Sequence, residues 1–553
     1  MFRRIGKNDP CWCGSGKPYC ECHMAFDQKI SRARFAGHEV PSHKIIKTPA
    51  QIEGIRESGK LNVAVLDYVA EHIKAGITTE EIDQWVYNSL YVIYLITIIG
   101  TILVIISENR NPVKSIAWIV VLLFLPIVGI VFYFFFGQEY RRQHMISRKG
   151  KRKLQQLTED PDVDLQEMPL SEESKQQIRL AYTLGKSGLH PGNEVTVFTN
   201  GKDKFASLIE DIKNAQTFIH LQYYIFANDR LGNTIKQLLI DKVKEGVIVR
   251  VIYDDVGCWK VKQHFFDEME AAGVDVRPFL KVTFPQLANK LNYRNHRKIV
   301  IIDGKIGYVG GMNIADRYQD GVAWGIWRDT HIRITGPAVY GLQTAFSIDW
   351  SFTTRELLSD NIYFPPVPRT GNINVQILTS GPIGEWKGIS LSFLKAISNA
   401  KQHIYIQTPY FLPTESLMKA LQVAALSKVD VRLMLPEKSD SPILQLASHS
   451  YLTSMLKAGI KIYFYQNGFL HAKSITIDNE FSTIGSTNLD FRSFDHNFEI
   501  NAFMYSKELT TQMKNIFLDD QKKCRRITLN LWKKRPLWHK ICESVVRLLS
   551  PVL

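Results

Sequence analysis

The sequence predicts an α/β protein with two pseudo-symmetric domains, each a central mixed sheet flanked by helices, preceded by two transmembrane helices and a small cysteine-rich knuckle. Three observations support this prediction: a motif that occurs twice, two long uncharged apolar runs, and a cysteine cluster near the N-terminus. The length of 553 residues exceeds the size at which one core keeps growing, so several domains are expected. The net charge of +14 indicates a polyanionic partner: nucleic acid, an anionic membrane or a phosphate-bearing substrate.

The duplicated motif lies at 295–313 (NHRKIVIIDGKIGYVGGMN) and at 470–488 (LHAKSITIDNEFSTIGSTN). Each copy places His, Lys and Asp at the spacing H-x-K-x₄-D, followed by Gly-Gly or Gly-Ser and then Asn. Shorter echoes accompany it, such as IHLQYYIF from Ile219 and IYIQTPYF from Ile404. Short β-branched runs preceded by amphipathic stretches are typical of α/β units around a largely parallel sheet. We therefore expect two copies of one domain that face each other about a pseudo-two-fold axis.

Each motif begins on a predicted strand, where residues i and i+2 share one face. The His and Lys of each copy therefore point together, and the pseudo-symmetry can bring both pairs into one cleft. The two motif acids are expected to brace the strand-to-turn geometry more than to touch a substrate. The predicted catalytic set is His296, Lys298, Asp303, His471, Lys473 and Asp478.

The motif glycines and the asparagines Asn313 and Asn488 follow at the next turn, where backbone NH groups and a carboxamide can reach a phosphate. The paired motifs resemble those of the phospholipase D superfamily, over about residues 91–553. Within it, the apolar runs, the stretch ENRNPVKSIAW and the C-terminal WKKRPLWHKICESVVRLLSP resemble bacterial cardiolipin synthases. The resemblance implies a first phospholipase D-like domain at 191–365 and a second at 366–529.

The motif residues, interpreted through this resemblance, predict a two-step transfer at phosphorus. One neutral imidazole attacks a phosphodiester and forms a phosphohistidine. The other, as imidazolium, protonates the departing alkoxide and later deprotonates the acceptor hydroxyl. The lysines hold the nonbridging oxygens, and no metal or other cofactor is expected for catalysis.

The sequence is symmetric as to which histidine is the nucleophile. The resemblance assigns that role to His296 and the acid/base role to His471. Each ring also needs an orienting carboxylate on its other nitrogen. Family-like positions favour Asp329 for His296 and Glu499 for His471, with ordinary exposed carboxylates as the alternative.

Two uncharged apolar runs of seventeen and twenty-two residues lie at 90–106 and 115–136. About 20 apolar residues cross a bilayer, so two membrane spans are predicted within 89–137, with buried core helices or strands as the alternative. Seven cations follow the second run, in a basic and polar linker at 138–190. The positive-inside rule places this flank, and with it the catalytic domains and the N-terminus, in the cytoplasm.

The N-terminal segment 1–25 contains the pattern C-x-C-x₈-C-H, which predicts a closed structural zinc site. Its predicted ligands are Cys11, Cys13, Cys22 and His23. Unpaired cytosolic thiols are the alternative. The segment resembles the small zinc motif at the end of the preprotein-translocase motor and at the start of some methionine aminopeptidases.

Residues 47–88 resemble the opening helices of a methionine aminopeptidase. The family's two Asp, one His and two Glu metal ligands lie further along, where this chain enters its first apolar run instead. We therefore interpret 26–88 as a truncated helical module without peptidase activity, fused to a different protein.

The C-terminal segment 530–553 has tryptophans and a Leu/Val face beside several cations. This composition favours an interfacial amphipathic segment, with a terminal helix packed on the globular body as the alternative.

Taken with the spans, the resemblance implies a multi-pass enzyme of the bacterial inner membrane that makes cardiolipin and glycerol from two phosphatidylglycerol molecules. Its expected partners are the membrane and anionic phospholipids, including phosphatidylglycerol and cardiolipin, without nucleic acid. Three alternatives are a membrane-tethered phospholipase D or phosphodiesterase/nuclease, a phosphatidylserine synthase-like phosphatidyltransferase, and a non-catalytic docking protein.

Overall fold

A computed structural model gives the architecture of the chain. The structure describes residues 16–35, 78–107, 112–125, 145–158, 163–281, 293–383 and 386–548, with isolated positions between 7 and 133 and at 550. The chain divides into two compact units, Met1–Ile130 and Val131–Leu553.

The first unit is helical where the structure describes it. Its helices are α1 (Tyr19–Cys22), α2 (Met24–Phe35), α3 (Thr79–Ser107) and α4 (Pro112–Phe124). The first apolar run lies within α3, whereas the second continues past the end of α4 into residues that lie partly outside the described ones. Among the residues that the structure describes, no helix reaches the length and apolarity that a membrane span requires.

The second unit contains twenty strands in the part of the chain that the structure describes. Those of its first half are β1 (Leu189–Phe198), β2 (Phe218–Tyr223), β3 (Ile248–Asp254), β4 (Asp275–Phe279), β5 (Arg294–Asn295), β6 (Ile299–Ile302), β7 (Ile306–Gly310), β8 (Ile326–Arg328) and β9 (His331–Thr335). Those of its second half are β10 (Ile373–Ser380), β11 (His403–Gln407), β12 (Phe411–Leu412), β13 (Asp430–Pro436), β14 (Lys461–Tyr465), β15 (Gly468–Leu470), β16 (Ser474–Ile477), β17 (Phe481–Gly485), β18 (Leu489–Asp490), β19 (Asn497–Tyr505) and β20 (Cys524–Ile527).

Helices cover this sheet and connect its strands. In the first half they are α5 (Arg148–Thr158), α6 (Glu172–Gly185), α7 (Gly201–Lys213), α8 (Arg230–Lys244), α9 (His264–Ala271), α10 (Arg317–Asp320) and α11 (Val339–Thr354). In the second half they are α12 (Gly388–Asn399), α13 (Glu415–Leu426), α14 (Pro442–Lys457), α15 (Phe491–Asp495), α16 (Lys507–Gln521), α17 (Leu529–Lys533) and α18 (Leu537–Arg547).

The two halves repeat one strand order. The first half runs β4-β3-β2-β6-β7-β9-β1 and the second β14-β13-β11-β16-β17-β19-β10, with β20 added beside β14. Parallel pairs occur where a helix connects the strands, as in β2-β3-β4 and β11-β13-β14. The motif hairpins β6-β7 and β16-β17 are antiparallel. The sheet is therefore mixed, and the predicted duplication is present in the fold.

The sequence predicts two copies that face each other. In the structure the two halves instead join edge to edge. Strand β1 pairs antiparallel with β10, which makes one continuous sheet of sixteen strands. Each strand is the outermost of its own half, and pairing satisfies the backbone groups that an edge would expose. The pseudo-two-fold axis therefore passes between β1 and β10.

Local sequence signals explain the helices that cover the sheet. Asn200 caps α7, because its side chain accepts a hydrogen bond from the backbone NH of Asp203. The same helix buries Phe205, Leu208 and Ile212 on one face, as 3.6-residue periodicity requires. Equivalent caps at other helices satisfy NH groups that a buried helix start would leave unpaired.

The C-terminal helix α18 packs against α14. It leaves Leu537, Trp538, Ile541 and Val545 more than half exposed. The packing matches the alternative of a terminal helix on the globular body, and the interfacial role stays a prediction.

Candidate active site

Short strands at the junction of the halves position the two motif histidines. Strand β5 precedes His296 and pairs with β19 of the second half, and the His296 backbone NH donates to the Phe498 carbonyl at 2.9 Å. Strand β15 precedes His471 and pairs with β8 of the first half, where the His471 NH donates to the Arg328 carbonyl at 2.7 Å. Each histidine is therefore anchored to the opposite half.

This crossing also decides which carboxylate orients which ring. His296 Nδ1 lies 3.0 Å from Glu499 Oε1, and His471 Nδ1 lies 2.6 Å from Asp329 Oδ2. The pairing predicted from the sequence, Asp329 with His296 and Glu499 with His471, is therefore wrong. The reason is that β5 runs beside the strand that carries Glu499, and β15 beside the strand that ends next to Asp329.

The motif lysines are buried behind the rings. Lys298 Nζ donates to the His296 carbonyl at 2.5 Å and Lys473 Nζ to the His471 carbonyl at 2.6 Å. Burial lowers the pKa of Lys473 to about 8, although Asp329 and Glu499 oppose the shift. Burial holds the pKa of Lys298 well below its usual range. The cationic field at the site therefore depends on pH near neutrality.

Burial also sets the charge of the rings and their carboxylates. It lowers the pKa of His296 to about 4 against the opposing charge of Glu499, and it holds the pKa of His471 well below its usual range, with Lys473 adding to the effect. Burial raises the pKa of Asp329 to about 6. Burial would raise the pKa of Glu499 too, but His296 and its other partners hold it below the usual value. These shifts favour neutral rings, and at Glu499 they favour the ionised carboxylate.

Both histidines face one cavity of about 260 Å³. Their Nδ1 atoms are engaged by carboxylates, and no described residue forms a recorded hydrogen bond with either Nε2. The other lining residues are Tyr224, Ile225, Arg294, Asn313, Arg317, Tyr318, Trp327, Tyr410, Asp440, Leu444, Asn488, Asp490, Arg492 and Asn497. The cavity thus offers two imidazole nitrogens, guanidinium groups and aromatic walls to one small polar group.

The motif acids that the sequence places in the catalytic set lie outside this lining. Asp303 accepts hydrogen bonds from three consecutive backbone NH groups that lead into β2, at 2.7–2.9 Å. Asp478 does the same for the three NH groups that lead into β11. Both adopt positive φ, 52° and 51°, a conformation that Asp tolerates better than most residues. Both acids brace the strand-to-turn geometry, as expected from the sequence, and neither lines the cavity.

The two motif asparagines differ in availability. Asn313 accepts from the Ile225 backbone NH at 3.1 Å and donates to the Tyr318 hydroxyl at 2.6 Å, so its amide is used within the fold. The Asn488 side-chain oxygen is buried without a hydrogen-bond partner among the described residues. Asn488 is therefore the asparagine that remains able to contact a ligand.

The residues that position the Glu499 and Asp329 carboxylates were not identified from the sequence. The Ser486 hydroxyl donates to Glu499 Oε2. At the equivalent position, a Cβ on Gly311 would lie 2.1 Å from Asp329 Oδ1, so only glycine leaves room for that carboxylate. Gly311 and Ser486 belong to the Gly-Gly and Gly-Ser pairs of the two motifs, so the repeated pairs were the sequence signal that could have identified them. In the fold these pairs make room for the carboxylates, and the Gly311 and Ser486 backbone NH groups donate to the Thr330 and Ile500 carbonyls.

The cysteine cluster lies in the first unit. Cys11 Sγ lies 3.3 Å from His23 Nδ1, and Cys22 Sγ lies 3.1 Å from the same atom. The ligand atoms of these three residues lie within 4.8 Å of one another. Cys13, the remaining predicted ligand, lies outside the described residues. Two thiols and an imidazole this close fit the donor set and spacing of tetrahedral zinc.

The duplicated fold and the paired His–Lys cavity define a phosphodiester-transferring protein of the phospholipase D type. The family described as cardiolipin synthase, PLD-like domain, matches residues 208–324 and 393–521, which contain both motifs. Residues 90–138 match the phospholipase D-nuclease N-terminal family, and residues 8–25 match the SEC-C motif. The aminopeptidase resemblance of the segment after this motif stays a prediction.

Curated relatives cover most of the chain. The cardiolipin synthase of Alkalihalophilus pseudofirmus is 39% identical over 504 residues, which cover 89% of this chain and 99% of the relative. The major cardiolipin synthase ClsA of Bacillus subtilis is 41% identical over 475 residues, 84% of this chain and 98% of the relative. This chain belongs to the cardiolipin synthase family.

A solved structure shares the fold at lower identity. The crystal structure of phosphatidylserine synthase from Haemophilus influenzae covers 68% of this chain and 100% of its own, with a TM-score of 0.53 and 14% identity. At that identity the likeness concerns the fold alone.

Proposed function

We propose that this chain joins two phosphatidylglycerol molecules into cardiolipin and releases glycerol. The observation that carries the proposal is the convergence of two histidines, one from each half, on a single cavity, each with a buried lysine behind its ring. The identity to cardiolipin synthases over most of the chain supports the choice of lipid.

In the first step, Nε2 of one neutral ring attacks the donor phosphorus. By family resemblance this ring is His296, and Glu499 accepts its Nδ1–H and stabilises the charge that the ring gains. The bond to glycerol breaks as the N–P bond forms, and the leaving oxygen takes a proton from His471. A bound phosphodiester is an anion and raises the pKa of a nearby imidazole, so the acid form of His471 arises in the lipid complex.

In the second step, the primary hydroxyl of another phosphatidylglycerol forms the new O–P bond. His471 takes the hydroxyl proton, and the N–P bond to His296 breaks. Lys298 and Lys473 sit behind the rings, where positive charge stabilises the nonbridging oxygens. No step in this scheme requires a metal.

Location at a membrane is part of the proposal. The two apolar runs and the match of residues 90–138 to a phospholipase D-nuclease N-terminal family support two spans. The cations between 141 and 153 support a cytoplasmic position for the catalytic unit at the inner membrane. The exposed Trp538 and Ile541 of α18 support contact with a lipid surface.

The N-terminal cluster is proposed to hold a structural zinc ion through Cys11, Cys22 and His23, with Cys13 as the fourth ligand. Zinc would cross-link the ends of a segment too small to build its own core. The region 26–88 is proposed to be an aminopeptidase-like remnant without peptidase activity.

Vesicles containing labelled phosphatidylglycerol test the function directly. The purified chain is expected to yield cardiolipin and glycerol, separated by thin-layer chromatography. Replacing either histidine, as His296→Ala or His471→Ala, is expected to lower the rate by about 10³-fold or more, since both act in each step. Phosphatidic acid without cardiolipin would instead show a hydrolase.

A further inference from the structure

The two motifs differ two residues before each histidine. The first reads Arg294-Asn295-His296, whereas the second reads Phe469-Leu470-His471. Phe469 packs on Trp327, with ring centroids 4.7 Å apart. The position two residues before His296 therefore carries a cation that lines the cavity, whereas the equivalent position before His471 carries an aromatic ring.

Arg294 is buried without a partner. Its side chain is 1% exposed, and its Nε, Nη1 and Nη2 atoms all lack a hydrogen-bond partner among the described residues. Asp254 is a nearby carboxylate, but its oxygens accept from the backbone NH groups of Gly257 and Asn295, each at 2.8 Å. A buried guanidinium with three unused donor nitrogens is costly to a folded protein unless a ligand binds it.

A second guanidinium lies beside it. Arg492 lines the same cavity and lowers the pKa of Arg294 by repulsion, an effect added to that of burial. No described carboxylate forms a recorded ion pair with Arg492. The cavity also contains two carboxylates, but Asp490 accepts from the Ser493 backbone NH and Asp440 from the Tyr410 hydroxyl. Two guanidiniums on the wall of one cavity, one of them without a hydrogen-bond partner among the described residues, favour an anion between them.

We propose that Arg294 and Arg492 form a second phosphate subsite, which binds the phosphodiester of the acceptor lipid while its hydroxyl attacks the phosphohistidine. This inference rests on the proposed function. The transferred phosphorus lies between the two histidines, and the acceptor's own phosphate is one glycerol away from the attacking oxygen. The subsite selects an acceptor alcohol that carries a phosphate over water or free glycerol.

Two soluble acceptors isolate this selectivity, because glycerol and glycerol phosphate offer similar hydroxyls and differ in the phosphate. The full-length protein is supplied with phosphatidylglycerol vesicles and both acceptors, each carrying its own label. We expect the unaltered protein to prefer glycerol phosphate. Arg294→Gln and Arg492→Gln are each expected to reduce that preference by about 10-fold or more, the effect of losing a charge-assisted hydrogen bond. The readout is the ratio of glycerol phosphate to glycerol incorporated, which a general loss of transfer activity would leave unchanged.

Arg277→Gln is the matched control, since Arg277 is exposed and pairs with Asp275 at the surface. It is expected to keep the preference. Arg492 is less buried than Arg294, so its variant tests the subsite even where Arg294→Gln fails to fold. Inorganic phosphate is expected to suppress the preference without slowing glycerol incorporation.

The outcomes separate the two proposals. If the unaltered protein makes cardiolipin but shows no preference for glycerol phosphate, the subsite is wrong while the function stands. An equal loss of glycerol incorporation and of the preference in Arg492→Gln would place that arginine at the transferred phosphate and also overturn the subsite. Absence of cardiolipin from the unaltered protein contradicts the proposed function itself.

Discussion

At each motif histidine, a carboxylate engages Nδ1 and leaves Nε2 for the substrate. Burial keeps both rings neutral, so both begin as nucleophiles or bases. We expect the bound phosphate and the different surroundings of the two rings to decide which ring acts as the acid. Lys473 Nζ lies 2.9 Å from His471 Nδ1, and Arg294 lines the cavity with His296, so each ring has a cation nearby but in a different place.

Because each histidine pairs with a carboxylate from the opposite half, changing one carboxylate is expected to affect only one imidazole ring. Asp329→Asn is expected to shift the ¹⁵N resonances of His471 and leave those of His296 unchanged, because it contacts only the former. Glu499→Gln is expected to do the reverse. The measurement is an NMR spectrum of ¹⁵N-histidine-labelled protein, assigned with single histidine variants. A His296 shift caused by Asp329→Asn would contradict the crossed arrangement.

The pKa values predict a bell-shaped pH dependence of kcat/KM for cardiolipin formation. Below pH 6 the Asp329 carboxylate, with its pKa raised to about 6, gains a proton and no longer stabilises a charged His471. Above pH 8 Lys473, with its pKa lowered to about 8, loses its charge and its hold on the phosphoryl oxygens. Activity is therefore expected to be greatest between these values.

Lys473→Arg tests the assignment of the basic limb, because arginine stays protonated throughout the accessible range. We expect a lower maximal rate, with the fall above pH 8 abolished and the fall below pH 6 retained. If the basic limb stays near pH 8 in this variant, another group is responsible for it.

At the scale of elements, the hairpins β6-β7 and β16-β17 present the motifs, and each motif acid ties the end of its first strand to the start of a neighbouring strand. Asp303 connects β6 to β2, and Asp478 connects β16 to β11. The acids thus fix the register of the strands that hold the His–Lys pairs. Their contribution reaches the chemistry only through that geometry.

Asp303→Asn is expected to lower the free energy of unfolding by about 1–3 kcal/mol, because one charged acceptor of backbone hydrogen bonds becomes a neutral amide. Asp478→Asn should act similarly, since it makes the equivalent three contacts. Thermal unfolding measures the loss, and activity at low temperature should fall less than in a histidine variant. A stable but inactive Asp303→Asn protein would return this acid to the catalytic set.

At the scale of the whole molecule, each half is incomplete. His296 needs Glu499 from the second half, and His471 needs Asp329 from the first. The β1–β10 seam joins the halves into one sheet, and the β5–β19 and β15–β8 pairs align the two motifs across the cavity. Duplication therefore produced an active site shared by two halves, neither of which contains it alone.

Separating the halves tests this dependence. Residues 1–365 and 366–553 expressed singly are each expected to give no cardiolipin, whereas co-expression should restore part of the activity through the exposed seam strands. Lipid extracts from cells that lack their own cardiolipin provide the measurement. Cardiolipin made by one half alone would contradict a shared site.

The sequence by itself indicated the chemistry: the doubled spacing and the family resemblance identify the two histidines that meet in the cavity and the lysines that lie behind them. Tertiary structure decided the pairing of His296 with Glu499 and of His471 with Asp329, and it left Arg294 buried and unpaired. The two copies of the motif have the same spacing. Spacing therefore cannot show whether a histidine pairs with the carboxylate of its own half or with that of the other half. Only the β5–β19 and β15–β8 strand pairs make that distinction, and they depend on contacts 203 and 142 residues apart in the sequence.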